Sequence, residues 1–233
     1  MESRQLTRQA SGKRWLFAAA CALTCVAAAG CGSSSKVSSA SLQPRLLPSS
    51  AVPGFGLERT LDWSDPVNLV GEGVALPERT RPSSAVSEFT GAHFLGGAGE
   101  WLIRGRGSEN EAEVRLGVAQ FQSAADANHV RDWMHEQDLT QPCYSQCTFS
   151  PAPATIAGIP GVLYVVQTGH VPAPPKGAHL PPGVHVPPGP ANFLAEFTIG
   201  PRMYWASLHA NQQAQASFEA GMKLYYAHAK GKG

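Results

Sequence analysis

The chain has 233 residues with 18 Lys+Arg against 17 Asp+Glu, a formal charge of +1. That balance leaves no electrostatic case for nucleic acid or for a polybasic membrane contact. Gly (24) and Pro (19) are plentiful, which points to much irregular backbone.

Arg4, Arg8, Lys13 and Arg14 make a basic N-terminal region, followed by an uncharged apolar run from Trp15 to Ala29. This is the layout of a secretory signal. The run is shorter than the roughly 20 apolar residues that cross a bilayer, so removal of residues 1–30 is expected. Ala28-Ala29-Gly30-Cys31 resembles the lipobox of bacterial lipoproteins, with Ala28 standing where that family prefers Leu. The resemblance implies acylation of Cys31 and anchoring, by palmitate-type chains, to the extracytoplasmic face of the cell membrane. Each buried methylene contributes about 0.8 kcal/mol, so two or three chains hold firmly. Cys25 follows Thr24, and Cys21 would leave too short an apolar run, so neither competes with Cys31. The processed chain carries 14 basic and 16 acidic residues, −2.

Processing leaves Cys31, Cys143 and Cys147. With Cys31 acylated, Cys143 and Cys147 are an even pair in an oxidising compartment, and a small-loop disulfide is expected. Three residues separate them where thioredoxin-type redox motifs have two, which argues against a catalytic disulfide.

Residues 31–83 read as a lipid-anchored tether, flexible to about Ser50, and an irregular lead-in that Pro53, Pro66, Pro77 and Pro82 interrupt. The domain is expected over 84–233. Phe89–Phe94 and Trp101–Arg104 are strand-like runs around a turn signal, Gly96-Gly97-Ala98-Gly99. Glu113–Gln122 alternates, with Val114, Leu116 and Val118 on one face. Ser123 then opens a helix with Asp126 three residues on, and Ala127, Val130 and Trp133 or Met134 make its inner stripe.

The second half repeats this order. Val162–Val166 reads as an interior strand; Phe193, Ala195, Phe197 and Ile199 alternate; Gly200-Pro201 turns the chain into Met203–Leu208. Asn211 caps a last helix whose apolar stripe is Ala214, Phe218, Met222, Tyr225 and Ala229. The expected fold is α+β: a single sandwich of an antiparallel sheet covered by two amphipathic helices, in two strand–strand–helix modules. Element order and Gly/Pro/Ala-rich style resemble small actinobacterial envelope lipoproteins of the LpqN type, with a PsbP/Mog1-like domain. That resemblance covers Ser84 to Lys230 and implies a binding or accessory role.

Motif chemistry is mostly excluded. His135-Glu136-Gln137-Asp138-Leu139 starts like a zinc-protease helix, but Leu stands where the second imidazole belongs. Gly105-Arg-Gly107 and Gly71-Glu-Gly73 lack the rest of a dinucleotide loop, and Ser33-Ser-Ser-Lys36 sits in the expected tether. No cofactor is expected. The segment from His170 to Pro190 sets His170, His179 and His185 among eight prolines. It reads as a solvated polyproline-like loop, as a docking loop, or as a collector of a transition metal. The leading expectation is a non-enzymatic, lipid-anchored module that binds an envelope partner or an apolar ligand between sheet and helices. A secreted hydrolase with a scattered site and a metal-binding protein are the alternatives.

Overall fold

Antiparallel strands dominate the described residues, 35–72, 81–108, 111–140, 149–169 and 189–232 of a computed structural model. In chain order they are α1 (Ser39–Leu42), β1 (Gly56–Trp63), α2 (Pro66–Glu72), α3 (Pro82–Gly91), β2 (Phe94–Arg104), β3 (Ala112–Phe121) and α4 (Ala124–Thr140), then β4 (Phe149–Ala154), β5 (Leu163–Gly169), β6 (Pro190–Ile199), β7 (Arg202–Asn211) and α5 (Gln215–Gly231). The strands form one sheet, β1-β2-β3-β7-β6-β5-β4. Every neighbouring pair is antiparallel. β4 carries Pro151 and Pro153 and pairs only with β5. An edge is where a residue without an N–H costs least.

Period-two alternation divides the core between the two faces. On β7, Tyr204, Ala206 and Leu208 meet Phe218, Met222, Tyr225 and Ala229 of α5. Met203 and Trp205 point the other way, to the cluster shared by α2, α3 and α4. The expected antiparallel sheet with amphipathic helices is therefore present, and the two long helices cover opposite faces. The expected start of α4 holds: Ser123 Oγ accepts from the Asp126 backbone N–H (3.1 Å) and donates to its carboxylate (2.7 Å). Asn211 Oδ1 accepts from Gln213 N at 3.0 Å, but it caps a short 3-10 turn, Gln212–Ala214, and α5 itself begins only at Gln215 with no side-chain cap.

Two expectations need correction. Residues 82–91 are helical, and β2 runs straight through Gly96-Gly97-Ala98-Gly99 without a turn there. The reason is tertiary. Gly99 faces Gly117 across the β2–β3 ladder, and Gly117 faces Trp205 across β3–β7. A Cβ on Gly99 would overlap the Trp63 ring, and one on Gly117 would overlap the Trp205 ring. The glycines are a floor on which the two indoles stack, centroids 5.3 Å apart.

The second correction concerns 31–83. Val37 N–H donates to the Leu95 carbonyl (2.9 Å), and Leu42, Leu46 and Leu47 are buried against the α5 face. β1 adds an edge strand to β2 and brings in Leu61 and Trp63. Three spaced leucines on short helical turns bury enough surface to dock a Ser/Pro-rich segment, at about 2 kcal/mol for each buried Leu. The compact unit thus starts at Ser34 and not at Ser84. Both hydrophobic clusters and all seven strands of the described residues belong to it, so it holds a complete core of its own. Residues 1–30, expected to be a removed signal, lie outside the described residues.

Gly117→Ala is expected to destabilise the chain from Ser34 by about 1–3 kcal/mol through overpacking. Adding Trp205→Leu should recover part of that loss. Urea unfolding reads both, and a Gly117→Ala midpoint equal to wild type contradicts the glycine floor.

Candidate ligand site under the C-terminal helix

A cavity of about 590 Å³ lies between the sheet and α5. Its floor is Val114 and Leu116 of β3 with Ala206 and Leu208 of β7, and its roof is Phe218, Gly221, Met222 and Tyr225 of α5. The third wall is the docked N-terminal segment, Leu47, Val52 and Phe55. The gap has a local cause. The α5 stripe packs on β6 and β7 through Phe218 and Tyr225, and Tyr225 Oη is pinned to the Gly117 carbonyl at 2.8 Å. Along the same helix Gly221 presents no side chain, and a Cβ there would meet nothing within 4 Å. Leu224 stands at the mouth, 54% exposed. Size and apolar lining are those of a small-molecule site, where clefts of roughly 300–1,000 Å³ enclose most of a ligand.

The other face carries buried acid groups. Asp138 (α4) and Glu196 (β6) are 5% and 2% exposed. Burial raises both carboxyls, Asp138 to about 7 and Glu196 well above the ordinary range. The two carboxyls are hydrogen-bonded to each other, so the pair retains a proton at pH values where free carboxyls are ionised. His135 Nδ1 lies 4.0 Å from Glu196 Oε2, and burial lowers the imidazole, which keeps it neutral. His135 thus turns inward, with its side chain 17% exposed. Gln167 Nε2 donates to the Asp138 carbonyl at 2.9 Å, and Asn192 Nδ2 donates to Gln167 Oε1 at 3.1 Å. None of these residues lines the cavity.

Cys31, Cys143, Cys147, His170, His179 and His185 all lie outside the described residues. Among the described residues no group of three or more His, Cys, Asp or Glu is arranged to hold a metal, and no helix is long and apolar enough to cross a membrane. The α5 stripe was readable in advance; Leu47, Val52, Phe55 and Arg104 as cavity wall were not. A helix-interior glycine facing a predicted core was the available signal for the cavity, since Gly there costs up to about 1 kcal/mol against Ala. The lone acid in Phe193-Leu-Ala-Glu196-Phe-Thr-Ile199 was the signal for the buried pair.

No family model matches the chain, and no curated protein matches it. Among solved structures it is similar to the extracellular domain of PknH from Mycobacterium tuberculosis. The TM-score is 0.51 at 15% identity, over 84% of this chain and 98% of that one. At that identity the likeness is one of fold: nearly the whole of that domain has its counterpart here.

The raised carboxyls set a pH dependence. An unfolded Asp titrates near 3.9, so between there and about 7 the folded chain holds more protons than the unfolded one. Stability from the pair is full below that window and is lost as pH rises through it. Glu196→Gln, which cannot ionise, should therefore gain in stability on wild type as pH rises from about 4.5 to about 7.5. Urea midpoints at the two pH values measure this, and a pH-independent difference contradicts it.

Proposed function

We propose that this is an exported lipoprotein, anchored through lipid on Cys31 to the extracytoplasmic face of the cell membrane. Its domain acts as a non-enzymatic accessory module that takes an apolar ligand into the cavity under α5. The observation that carries the binding role is the cavity itself: about 590 Å³ with predominantly apolar walls. Support for the location comes from the signal-like N-terminus, from the lipobox-like Ala28–Cys31, and from a fold shared with a domain described as extracellular. The relation to LpqN-type envelope lipoproteins with a PsbP/Mog1-like domain is part of the same proposal, as is a disulfide between Cys143 and Cys147.

The anchor has a geometric consequence. Six residues lead from Cys31 to Val37, which already bonds to β2. At about 3.5 Å per residue, an acylated Cys31 holds the domain within about 20 Å of the bilayer surface. The ligand source is then the membrane or its immediate surroundings.

Two measurements test this reading. Intact-mass and peptide analysis of the protein extracted from membranes should show an acylated N-terminal Cys31, with the peptide of Cys143 and Cys147 two hydrogens short. An unmodified Cys31, or free thiols, removes the corresponding part. Separately, Gly221→Leu should raise stability by about 1 kcal/mol through helix propensity. The same change should abolish binding of the neutral apolar probe N-phenylnaphthylamine. Unchanged probe binding in a folded Gly221→Leu contradicts the cavity as the site.

A further inference from the structure

We infer that the ligand is a single-chain amphiphile with one negative charge, a long-chain carboxylate, with its chain under α5 and its head on Arg104. This rests on the binding role proposed for the same cavity and names what that cavity selects.

The cavity is chemically lopsided. Among the described residues that line it, Arg104 is the only charged one. Among the other described arginines, Arg59, Arg106, Arg115 and Arg131 have acidic partners at 2.5–3.1 Å, whereas Arg45, Arg81 and Arg202 have none, and none of those three lines the cavity. Arg104 has no acidic partner among the described residues. Its guanidinium instead lies 4.9 Å from the centroid of the Phe55 ring, itself part of the cavity wall. A cation stacked on an aromatic wall is positioned but not neutralised, and its planar fork remains available to a carboxylate.

The polar lining gathers at the same end. Arg104 closes β2 opposite Ala112, and Glu113 faces His209, which puts Ala112 beside the last residues of β7. Asn211, Gln213 and Ser217 follow at the start of α5, whose first turn carries no acidic residue. From that end the floor runs along β3 past Val114 to Leu116, about 14 Å at 3.4 Å per residue, with no further charge. One cation above one apolar slot fits a monoanionic head on one chain. An unpaired carboxylate would be expensive in an apolar site, and a guanidinium partner removes that cost through two parallel hydrogen bonds.

The test uses the soluble chain from Ser34, which contains the complete core, with bound N-phenylnaphthylamine displaced by three sixteen-carbon ligands. Palmitate is expected to displace the probe at concentrations at least about tenfold below hexadecanol, and hexadecylamine to be weaker than both. Arg104→Gln should weaken palmitate about tenfold and leave hexadecanol, the probe and the thermal midpoint unchanged, while Arg104→Lys keeps part of the preference. Equal displacement by palmitate and hexadecanol overturns the head-group assignment while leaving an apolar site in place. An equal loss for both ligands in a folded Arg104→Gln overturns it as well. Failure of every ligand and of the probe to bind removes the cavity reading along with it.

Discussion

The centre of the sheet depends on two residues that have no side chain. Gly99 and Gly117 face each other across β2 and β3, and the indoles of Trp63 and Trp205 lie flat above them. Overlap with any Cβ at these positions would lift the rings from the sheet and push apart the helices that pack on them. Gly117 also acts on the opposite face, where its carbonyl accepts the Tyr225 hydroxyl. One glycine therefore sets how close an indole comes on one side and where α5 is held on the other. β3 and β7 meet at this point, so the join between the two halves of the chain is made here.

The two faces then serve different ends. The face under α4 holds Asp138 and Glu196, which share a proton in a site too dry to ionise both. Such a pair adds little net stability, because desolvation offsets what the hydrogen bond contributes. It makes the fold respond to pH. The α5 face is left incomplete. Tyr225 fixes the helix at one point, Gly221 withholds a side chain, and the N-terminal segment packs alongside without filling the gap. An open apolar volume has a cost in lost contacts, and binding of an apolar chain offsets it.

The alternating runs of β3, β6 and β7 and the stripes of α4 and α5 were legible because each buries one face, and burial imposes its period on the sequence. The cap at Ser123, and the one at Asn211 on the turn that leads into α5, were legible because capping is local chemistry. β1 and the docked Leu42–Leu47 stretch were not. Their apolar residues are sparse and irregular, and their partners lie more than thirty residues away. The glycine run in β2 misled for a related reason. Four small residues in a row look like a turn unless the Trp63 indole that needs the space is already known. Arg104 as a cavity residue was hidden too, since a strand-end arginine reads as solvated surface until the aromatic beneath it is in place.

The sequence by itself determined the alternation that makes a sheet and the two amphipathic helices that cover it, because each is written in residues adjacent or nearly so along the chain. Only the tertiary structure decided that those helices take opposite faces, that the compact unit starts near Ser34, and that a cavity remains under α5 with one arginine at its polar end. Those features arise from packing between distant segments, where volume and charge must match across the fold and no local period records the match.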